Sequence, residues 1–207
     1  LGDLLTRPAG LGYEIADLPD LDGDGIEDIA VGMPRLRACR TAACPADAGQ
    51  VFALGSKSGE LLFRTPDGGE GFEMGTAVAR IQNLLFVGAP GAIDALGRRT
   101  GAVYVYDVAE GPRWLSVFYG EQAGERFGQA VVVADDFDAD MVPEVLVGAP
   151  LASTAAGDRA GRVDLVSFDG VTRARFDGPV AEGQMGVDSA SILAKLSGPA
   201  GAGPHGV

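Results

Sequence analysis

The stretch FGQAVVVADDFDADMVPEVLVGAP, from Phe127 to Pro150, decides how the whole chain can be divided. It opens with an apolar residue and a glycine, and it ends in a Gly-x-Pro triplet. Between these ends, two short apolar runs are separated by acidic residues. Short apolar runs bounded by turn residues predict β-strands, and two such runs in succession predict a hairpin.

The same ordered features recur along the chain. The apolar-Gly pairs that open the units begin at Leu11, Met74, Phe127 and Met185. The Gly-x-Pro triplets end at Pro34, Pro90 and Pro150. A loop and a strand opening with glycine follow each triplet, as GQVFAL, GAVYVYDV and GRVDLVSF. A fourth apolar stretch comes after each of these strands. One such set would carry little information, but three sets in one order predict repeated units of four short strands.

Four-stranded units of about 50 to 60 residues are typical of β-propeller blades. One blade cannot bury both faces of its sheet, so neighbours stack around an axis. The small residues of Gly-x-Pro suit a place where backbones approach closely. We predict an all-β propeller of four-stranded antiparallel blades over residues 1–196. Complete blades lie at about 11–66, 74–120 and 127–178, with a partial fourth blade at 185–196 and a flexible Gly/Pro tail at 197–207.

Acidic residues alternate in the turn between the first two strands of the first unit. Carboxylates occupy positions 1, 3, 5 and 9 of the loop, and a backbone carbonyl at position 7 can add a ligand: Asp20, Asp22, Asp24, Asp28 and Ile26. Alternate residues of a curled loop direct their oxygens to one centre, and an oxygen-only ligand set suits Ca²⁺. Two carboxylates about 4 Å apart repel by roughly 4 kcal/mol at an effective dielectric of 20. This favours a bound cation over a solvated acidic turn, which Asp and Gly also form.

The residues around this loop argue against an EF-hand. Gly25 stands at position 6, where a positive φ turns the chain. An EF-hand would place helices on both sides and a Glu at position 12. Here strands flank the loop and position 12 is Val31. The sequence therefore predicts a calcium site in a β-hairpin.

The third unit contains a related loop, with carboxylates at the same four positions and a carbonyl at position 7: Asp136, Asp138, Asp140, Glu144 and Val142. Met141 replaces the turn glycine, and a left-handed conformation there would cost roughly 1–2 kcal/mol. We expect a second calcium site that is weaker or more distorted. The second unit has only Gln82 and Asn83 at the turn. If its hairpin forms, the fold does not require the carboxylates.

This ordered set resembles the FG-GAP repeat of integrin alpha chains and of many bacterial secreted proteins, over about residues 11–178. The stretch from Phe127 to Pro150 is the nearest match, while GQVFALGSKSGELLF is more similar to the bacterial branch. The resemblance implies a β-propeller with calcium in the loop that joins the first two strands of a blade. It also implies seven blades, of which this chain would hold about half.

Composition excludes several classes of function. The formal net charge is −13, and no Lys/Arg run offers the basic face that nucleic acid or an anionic membrane surface requires. No stretch approaches the roughly 20 apolar residues of a membrane-spanning helix, so we expect no membrane insertion. The negative net charge favours cations and basic macromolecules as binding partners.

Catalytic chemistry finds little support in the sequence. The only histidine, His205, lies in the Gly/Pro tail, so a Ser-His-Asp or Cys-His arrangement lacks a base. The acidic loops match calcium spacing better than a glycosidase carboxylate pair. Trp114 and the Tyr104–Tyr106 pair could line a sugar-binding surface, although aromatic residues in strands more often pack. We therefore expect that the chain is not an enzyme.

Cys39 and Cys44 lie close together, with no further Cys or His nearby to complete a zinc site. A disulfide in an oxidising compartment is favoured over two free thiols in a reducing cytosol. This agrees with an extracellular or cell-surface location.

Two functions remain open. The first is a calcium-binding extracellular propeller for adhesion or macromolecule interaction, with a protein or carbohydrate ligand. The alternative is a non-catalytic or lectin-like propeller accessory to a secreted enzyme, such as a polysaccharide lyase or phospholipase. Three blades and a fragment do not close a ring of four to eight, so self-association could complete the propeller.

Overall fold

The computed structural model describes residues 11–37, 46–136 and 144–188 of the chain. These ranges form β-strands joined by turns and loops, and they contain no helix that could cross a membrane. The strands are β1 (Ile15–Leu18), β2 (Asp28–Met33), β3 (Gln50–Leu54), β4 (Leu61–Arg64), β5 (Ala77–Ile81), β6 (Leu84–Ala89), β7 (Ala102–Asp107), β8 (Arg113–Tyr119), β9 (Ala130–Asp135), β10 (Glu144–Ala149), β11 (Arg162–Ser167) and β12 (Thr172–Asp177).

The strands form three four-stranded antiparallel sheets, each made of four consecutive strands. We call them blade 1 (β1–β4), blade 2 (β5–β8) and blade 3 (β9–β12). Within every sheet the strands are paired in chain order, so each blade is a meander of hairpins. The predicted all-β fold with four-stranded antiparallel blades is confirmed.

Both faces of the central sheet are covered by its neighbours. Successive residues of a strand point to opposite faces, and in β6 the adjacent Leu85 and Phe86 are both fully buried. Leu85 belongs to an apolar cluster shared with Val51 of blade 1, while Phe86 belongs to one shared with Val147 of blade 3. The blades therefore stack in chain order, which explains why β6 has no polar side.

Glycines let successive blades approach at the backbone. A Cβ added to the glycine of each Gly-x-Pro triplet would lie 2.1 Å from the carbonyl oxygen of the glycine that opens the next unit: Gly32 against Gly75, Gly88 against Gly128, and Gly148 against Gly186. Isolated parallel bridges lie beside these contacts: Gly49 with Met74, Gly101 with Phe127, and Gly161 with Met185. We call each such contact a glycine junction. The close backbone approach predicted for Gly-x-Pro is confirmed.

The meander places the loops of each blade at two opposite ends of the sheet. Because the strands alternate in direction, the β1–β2 and β3–β4 loops of a blade lie at one end. The β2–β3 loop and the connection to the next blade lie at the opposite end. Cys39, Cys44, the tail and the larger part of the predicted fourth blade lie outside the described residues.

Candidate metal centre

The acidic loop of the first unit joins β1 to β2 and is closed by the pair Leu18–Asp28. Side-chain hydrogen bonds curl it. Asp20 Oδ1 accepts the N–H groups of Gly23 at 2.8 Å and Asp24 at 3.1 Å, and its Oδ2 accepts that of Gly25 at 2.8 Å. Gly25 has a φ of 86°, so the predicted positive φ at position 6 is confirmed.

This curl brings three of the predicted ligands together. Asp20, Asp22 and Asp28 each offer a carboxylate oxygen, and these oxygens all lie within 4.8 Å of one another. Ca²⁺ binds oxygens at about 2.3–2.6 Å, so one ion can contact oxygens up to about 5 Å apart. Both the spacing and the all-oxygen chemistry of this group fit Ca²⁺.

Two predicted ligands stand apart from that group. Asp24 is not a member of it, and Asp24 Oδ1 accepts the Ile26 N–H at 2.9 Å. The Ile26 side chain is exposed. The assignment of the Asp24 carboxylate and the Ile26 carbonyl as ligands stays a prediction.

Asp28 links the acidic loop to the neighbouring hairpin. It is buried, and its two oxygens accept the N–H groups of Leu21 at 2.8 Å and Ser56 at 3.1 Å. Ser56 lies in the turn between β3 and β4. A carboxylate oxygen that accepts one hydrogen bond retains a lone pair for a metal. Asp28 can therefore hold both hairpins and still contribute to an ion site.

The electrostatics of the loop also favour a cation. The pKa of Asp22 is raised, first because neighbouring protein atoms displace water from the carboxylate. Repulsion from Asp24, Asp28 and Asp20 adds to this shift. A bound divalent ion would offset both causes, since it stabilises the ionised form of every ligand.

Arg80 of blade 2 approaches the edge of this loop. Its guanidinium pairs with Asp17 and lies 3.5 Å from Glu27 Oε1, and its Nε donates to the Asp17 carbonyl at 3.0 Å. Neither Arg80 nor Ser56 could be identified from the sequence as a neighbour of this loop. Nothing in their local sequence connects them to the loop, because stacking and hairpin geometry bring them there.

The other two units differ at the same place. In blade 2, β5 and β6 form a hairpin around Gln82 and Asn83, so the fold does not require carboxylates there. In blade 3, Glu144 is buried and accepts a hydrogen bond from Ser167 Oγ at 3.2 Å, while Asp136 is exposed. Asp138, Asp140 and Val142 lie outside the described residues. The second calcium site stays a prediction.

The three aromatic residues considered for sugar binding differ in how far they are exposed to solvent. Tyr106 is buried in the cluster between blades 1 and 2, and burial raises its pKa to about 12. Tyr104 packs against the same cluster, and its pKa is raised mainly by burial. Trp114 is 57% exposed on β8. The tyrosine pair is therefore part of the packing, and only Trp114 is presented to solvent.

Three stacked four-stranded antiparallel sheets, the first with an acidic loop between its first two strands, are the architecture of propeller blades. No family model matches the chain. Integrin alpha-PS5 of Drosophila melanogaster is 50% identical over 60 residues, which are 28% of this chain and 6% of that protein. Integrin alpha-2 of Bos taurus is 32% identical over 80 residues, 37% of this chain and 7% of that protein. The chain thus covers less than a tenth of either relative, and the similarity indicates an integrin-like relationship over part of its length.

Proposed function

We propose that the chain is a calcium-binding, extracellular or cell-surface β-propeller module that binds another macromolecule. The carboxylates of Asp20, Asp22 and Asp28, grouped within 4.8 Å, carry the calcium part of this proposal. The partial similarity to two integrin alpha chains supports an interaction role. No catalytic role is proposed.

Calcium would act as a structural clip. Asp20 and Asp22 belong to the loop, Asp28 begins β2, and Asp28 also accepts the Ser56 N–H from the β3–β4 turn. An ion held by these three carboxylates would therefore join both hairpins of blade 1. At a free concentration ten times its dissociation constant, it would add about 1.4 kcal/mol to stability.

We extend the same role to the remaining predicted ligands. Asp24 and the Ile26 carbonyl would complete the first site. A second site in blade 3 would use the carboxylates and the carbonyl of the related loop: Asp136, Asp138, Asp140, Glu144 and Val142. A disulfide between Cys39 and Cys44 would suit the same oxidising location.

A protein or carbohydrate partner would bind at the opposite end of the sheets, where the β6–β7 loop presents an exposed apolar residue. Asp94 Oδ1 accepts the N–H groups of Leu96 at 2.9 Å and Arg98 at 2.8 Å. These bonds hold a tight turn in which Leu96 is 79% exposed. Loops fixed on a rigid scaffold are common places for binding residues.

Calorimetric titration with Ca²⁺ tests the metal site. The wild type should bind, and Asp22→Asn should weaken binding by more than tenfold, because it removes a ligand charge and keeps an acceptor for the Asp24 N–H. Asp107→Asn is a control in blade 2, which has no acidic loop: Asp107 Oδ1 accepts the Ala109 N–H at 3.1 Å in a turn of similar hydrogen bonding. Equal heats for wild type and Asp22→Asn would disprove the site.

Thermal unfolding provides a second measurement of calcium binding. Saturating Ca²⁺ should raise the melting temperature of the wild type by about 3–6 °C, and a chelator should reverse this. Asp22→Asn should show a much smaller rise. A wild type that melts at the same temperature with Ca²⁺ and with chelator would contradict the proposed clip.

Glycan and protein arrays test the interaction role. The recombinant protein should bind at least one glycan or protein on the arrays reproducibly. Leu96→Asp should reduce the amount bound without changing the melting temperature. Leu61→Asp is a control, because Leu61 is 49% exposed on β4, away from the β6–β7 loop. Arrays without any reproducible ligand would contradict this role and leave the calcium result unaffected.

A further inference from the structure

Arg80 of blade 2 contacts the acidic loop of blade 1 on both sides, where the loop begins and where it ends. The pair Leu18–Asp28 closes the loop. Asp17 precedes Leu18 on β1, and Glu27 directly precedes β2. The Arg80 guanidinium pairs with the Asp17 carboxylate and lies 3.5 Å from Glu27 Oε1. We call Asp17 and Glu27 the neck of the loop.

All three nitrogens of this guanidinium have acceptors. Nε donates to the Asp17 carbonyl oxygen at 3.0 Å, Nη1 donates to the Gln82 carbonyl oxygen at 2.9 Å, and Nη2 donates to the Asp17 carboxylate. The Arg80 side chain is only 17% exposed. A planar guanidinium bonded in this way has a fixed orientation, whereas a lysine ammonium would act as a point charge. Arg80 is therefore anchored on the turn of blade 2 and holds the neck of the loop in blade 1.

The contacts of Arg80 spare the candidate ligands. Its hydrogen bonds and ion pairs are made with the neck and with Gln82, none of which belongs to the group of carboxylates within 4.8 Å. An arginine paired with a ligand would compete with the ion for the same oxygens. Arg80 instead offsets the negative charge of the neck and leaves the grouped carboxylates free to bind a cation.

Equivalent positions in the other blades support a role connected with the acidic loop. Asp17, Arg80 and Val133 each stand five residues after the glycine that opens their unit. The acidic loop of blade 1 receives Arg80 from the next blade. The turn of blade 2, with Gln82 and Asn83, faces a blade that has Val133 instead, which packs in the apolar cluster between blades 2 and 3. The arginine thus occurs beside the acidic loop, and an apolar residue replaces it beside the uncharged turn.

We propose that Arg80 is a positioning residue for calcium: from blade 2 it holds the neck of the acidic loop, so that the ligand carboxylates of blade 1 stay grouped. The inference rests on the calcium site proposed above and deepens it, because calcium affinity then depends on the stacking of blades 1 and 2. The affinity of such sites depends on their rigidity as well as on ligand charge. By linkage, bound calcium strengthens the contact between the loop and blade 2 by the same factor.

Charge alone predicts the opposite result when Arg80 is replaced. A cation beside a calcium site repels the ion, so its removal should tighten binding. Salt screens this repulsion over about 8 Å at physiological ionic strength, whereas the position of the loop does not depend on screening. The charge of Arg80 is also offset by the two carboxylates of the neck. We therefore expect the loss of rigidity to outweigh the relief of repulsion.

Calorimetric titration with Ca²⁺ at about 0.15 M salt separates the two effects. Arg80→Gln should weaken binding about three- to tenfold, and Arg80→Lys should weaken it as well, because an ammonium cannot replace the guanidinium fork. Arg113→Gln is the matched control, since Arg113 pairs with Asp107 at 2.7 Å within blade 2. It should leave the dissociation constant within about twofold of the wild type. Circular dichroism in chelator checks that each variant is folded.

Amide hydrogen exchange in chelator examines the loop without the ion. The three N–H groups that donate to Asp20 report on the curl of the loop, because they exchange only when these bonds open. Arg80→Gln should speed their exchange by at least about threefold, since the neck is no longer held. Arg113→Gln should leave these rates unchanged.

Several outcomes would overturn the role of Arg80. One is an Arg80→Gln protein that binds calcium as tightly as the wild type or more tightly. Another is an Arg80→Lys protein that binds like the wild type, since charge would then be sufficient. Equal exchange of the loop amides in wild type and Arg80→Gln would also overturn it. A wild type that binds no calcium would instead disprove the calcium site, while the exchange rates would still decide whether Arg80 holds the loop, so the two proposals fail separately.

Discussion

Replacing Gly88 by alanine tests whether the glycine junctions hold the blades together. The new Cβ would lie 2.1 Å from the Gly128 carbonyl oxygen, whereas ordinary contacts begin at 3.4 Å. Blades 2 and 3 would have to separate locally by about 1.3 Å, because the Gly128 carbonyl group belongs to the backbone and cannot rotate away as a side chain could. Overpacking of this kind costs about 3 kcal/mol, which corresponds to a fall of about 6–12 °C in melting temperature.

Gly97→Ala provides the control for this experiment. Gly97 has a φ of 79° in an exposed loop, and an added Cβ there meets no atom of the described residues within 4 Å. It should lose about 1 kcal/mol, because alanine disfavours that backbone conformation. Gly88 has no such positive φ, so its loss would come from the contact alone. Urea unfolding measures both values. If Gly88→Ala cost no more than Gly97→Ala, the backbones of blades 2 and 3 would not be in close contact at Gly88.

Three further predictions concern charged residues. Glu125→Gln should cost about 3 kcal/mol in urea unfolding, because buried Arg162 would lose a partner 3.0 Å away; a loss below about 1 kcal/mol would contradict this. A hydrogen bond from Arg80 lowers the pKa of Asp17, so its stabilisation is present above about pH 4 and is lost as pH falls through that lower value. Asp17→Asn should therefore flatten the acid loss of stability by under about 1 kcal/mol, and an unchanged pH profile would refute this. Asp28→Asn should destabilise the protein by about 2 kcal/mol even in chelator, since an amide NH₂ would face one of two backbone N–H donors; unchanged unfolding would refute it.

The architecture could be predicted because the repeat signals are local. Each apolar run, each opening glycine and each Gly-x-Pro triplet can be recognised within a few residues, and the three sheets follow these signals strand by strand. Burial of polar residues could not be predicted in the same way. Arg162 and Asp164 alternate with apolar residues in β11, as polar residues on a solvated face do. Both are nevertheless buried, because Glu125 from the preceding connection pairs with Arg162.

In the candidate site, too, some contacts could be predicted from the local sequence and others could not. Carboxylate spacing in the loop was sufficient to predict that Asp20, Asp22 and Asp28 approach one another. The hydrogen bond from the Ser56 N–H to Asp28 joins residues 28 positions apart, and no local pattern encodes it. The contact of Arg80 with Asp17 spans 63 positions. Sequence spacing describes a loop by itself, whereas these contacts depend on how hairpins and blades are stacked.

The hairpin of blade 2 shows which residues specify the repeat. It forms around Gln82 and Asn83, and Leu84 stands where blades 1 and 3 have Asp28 and Glu144. All three blades nevertheless share glycine junctions of the same geometry, with the same 2.1 Å approach. A carboxylate at the loop can thus be absent without loss of the hairpin, whereas every junction retains its glycine. Stacking therefore depends on the glycines, whereas the hairpin between the first two strands of a blade forms with or without an acidic loop.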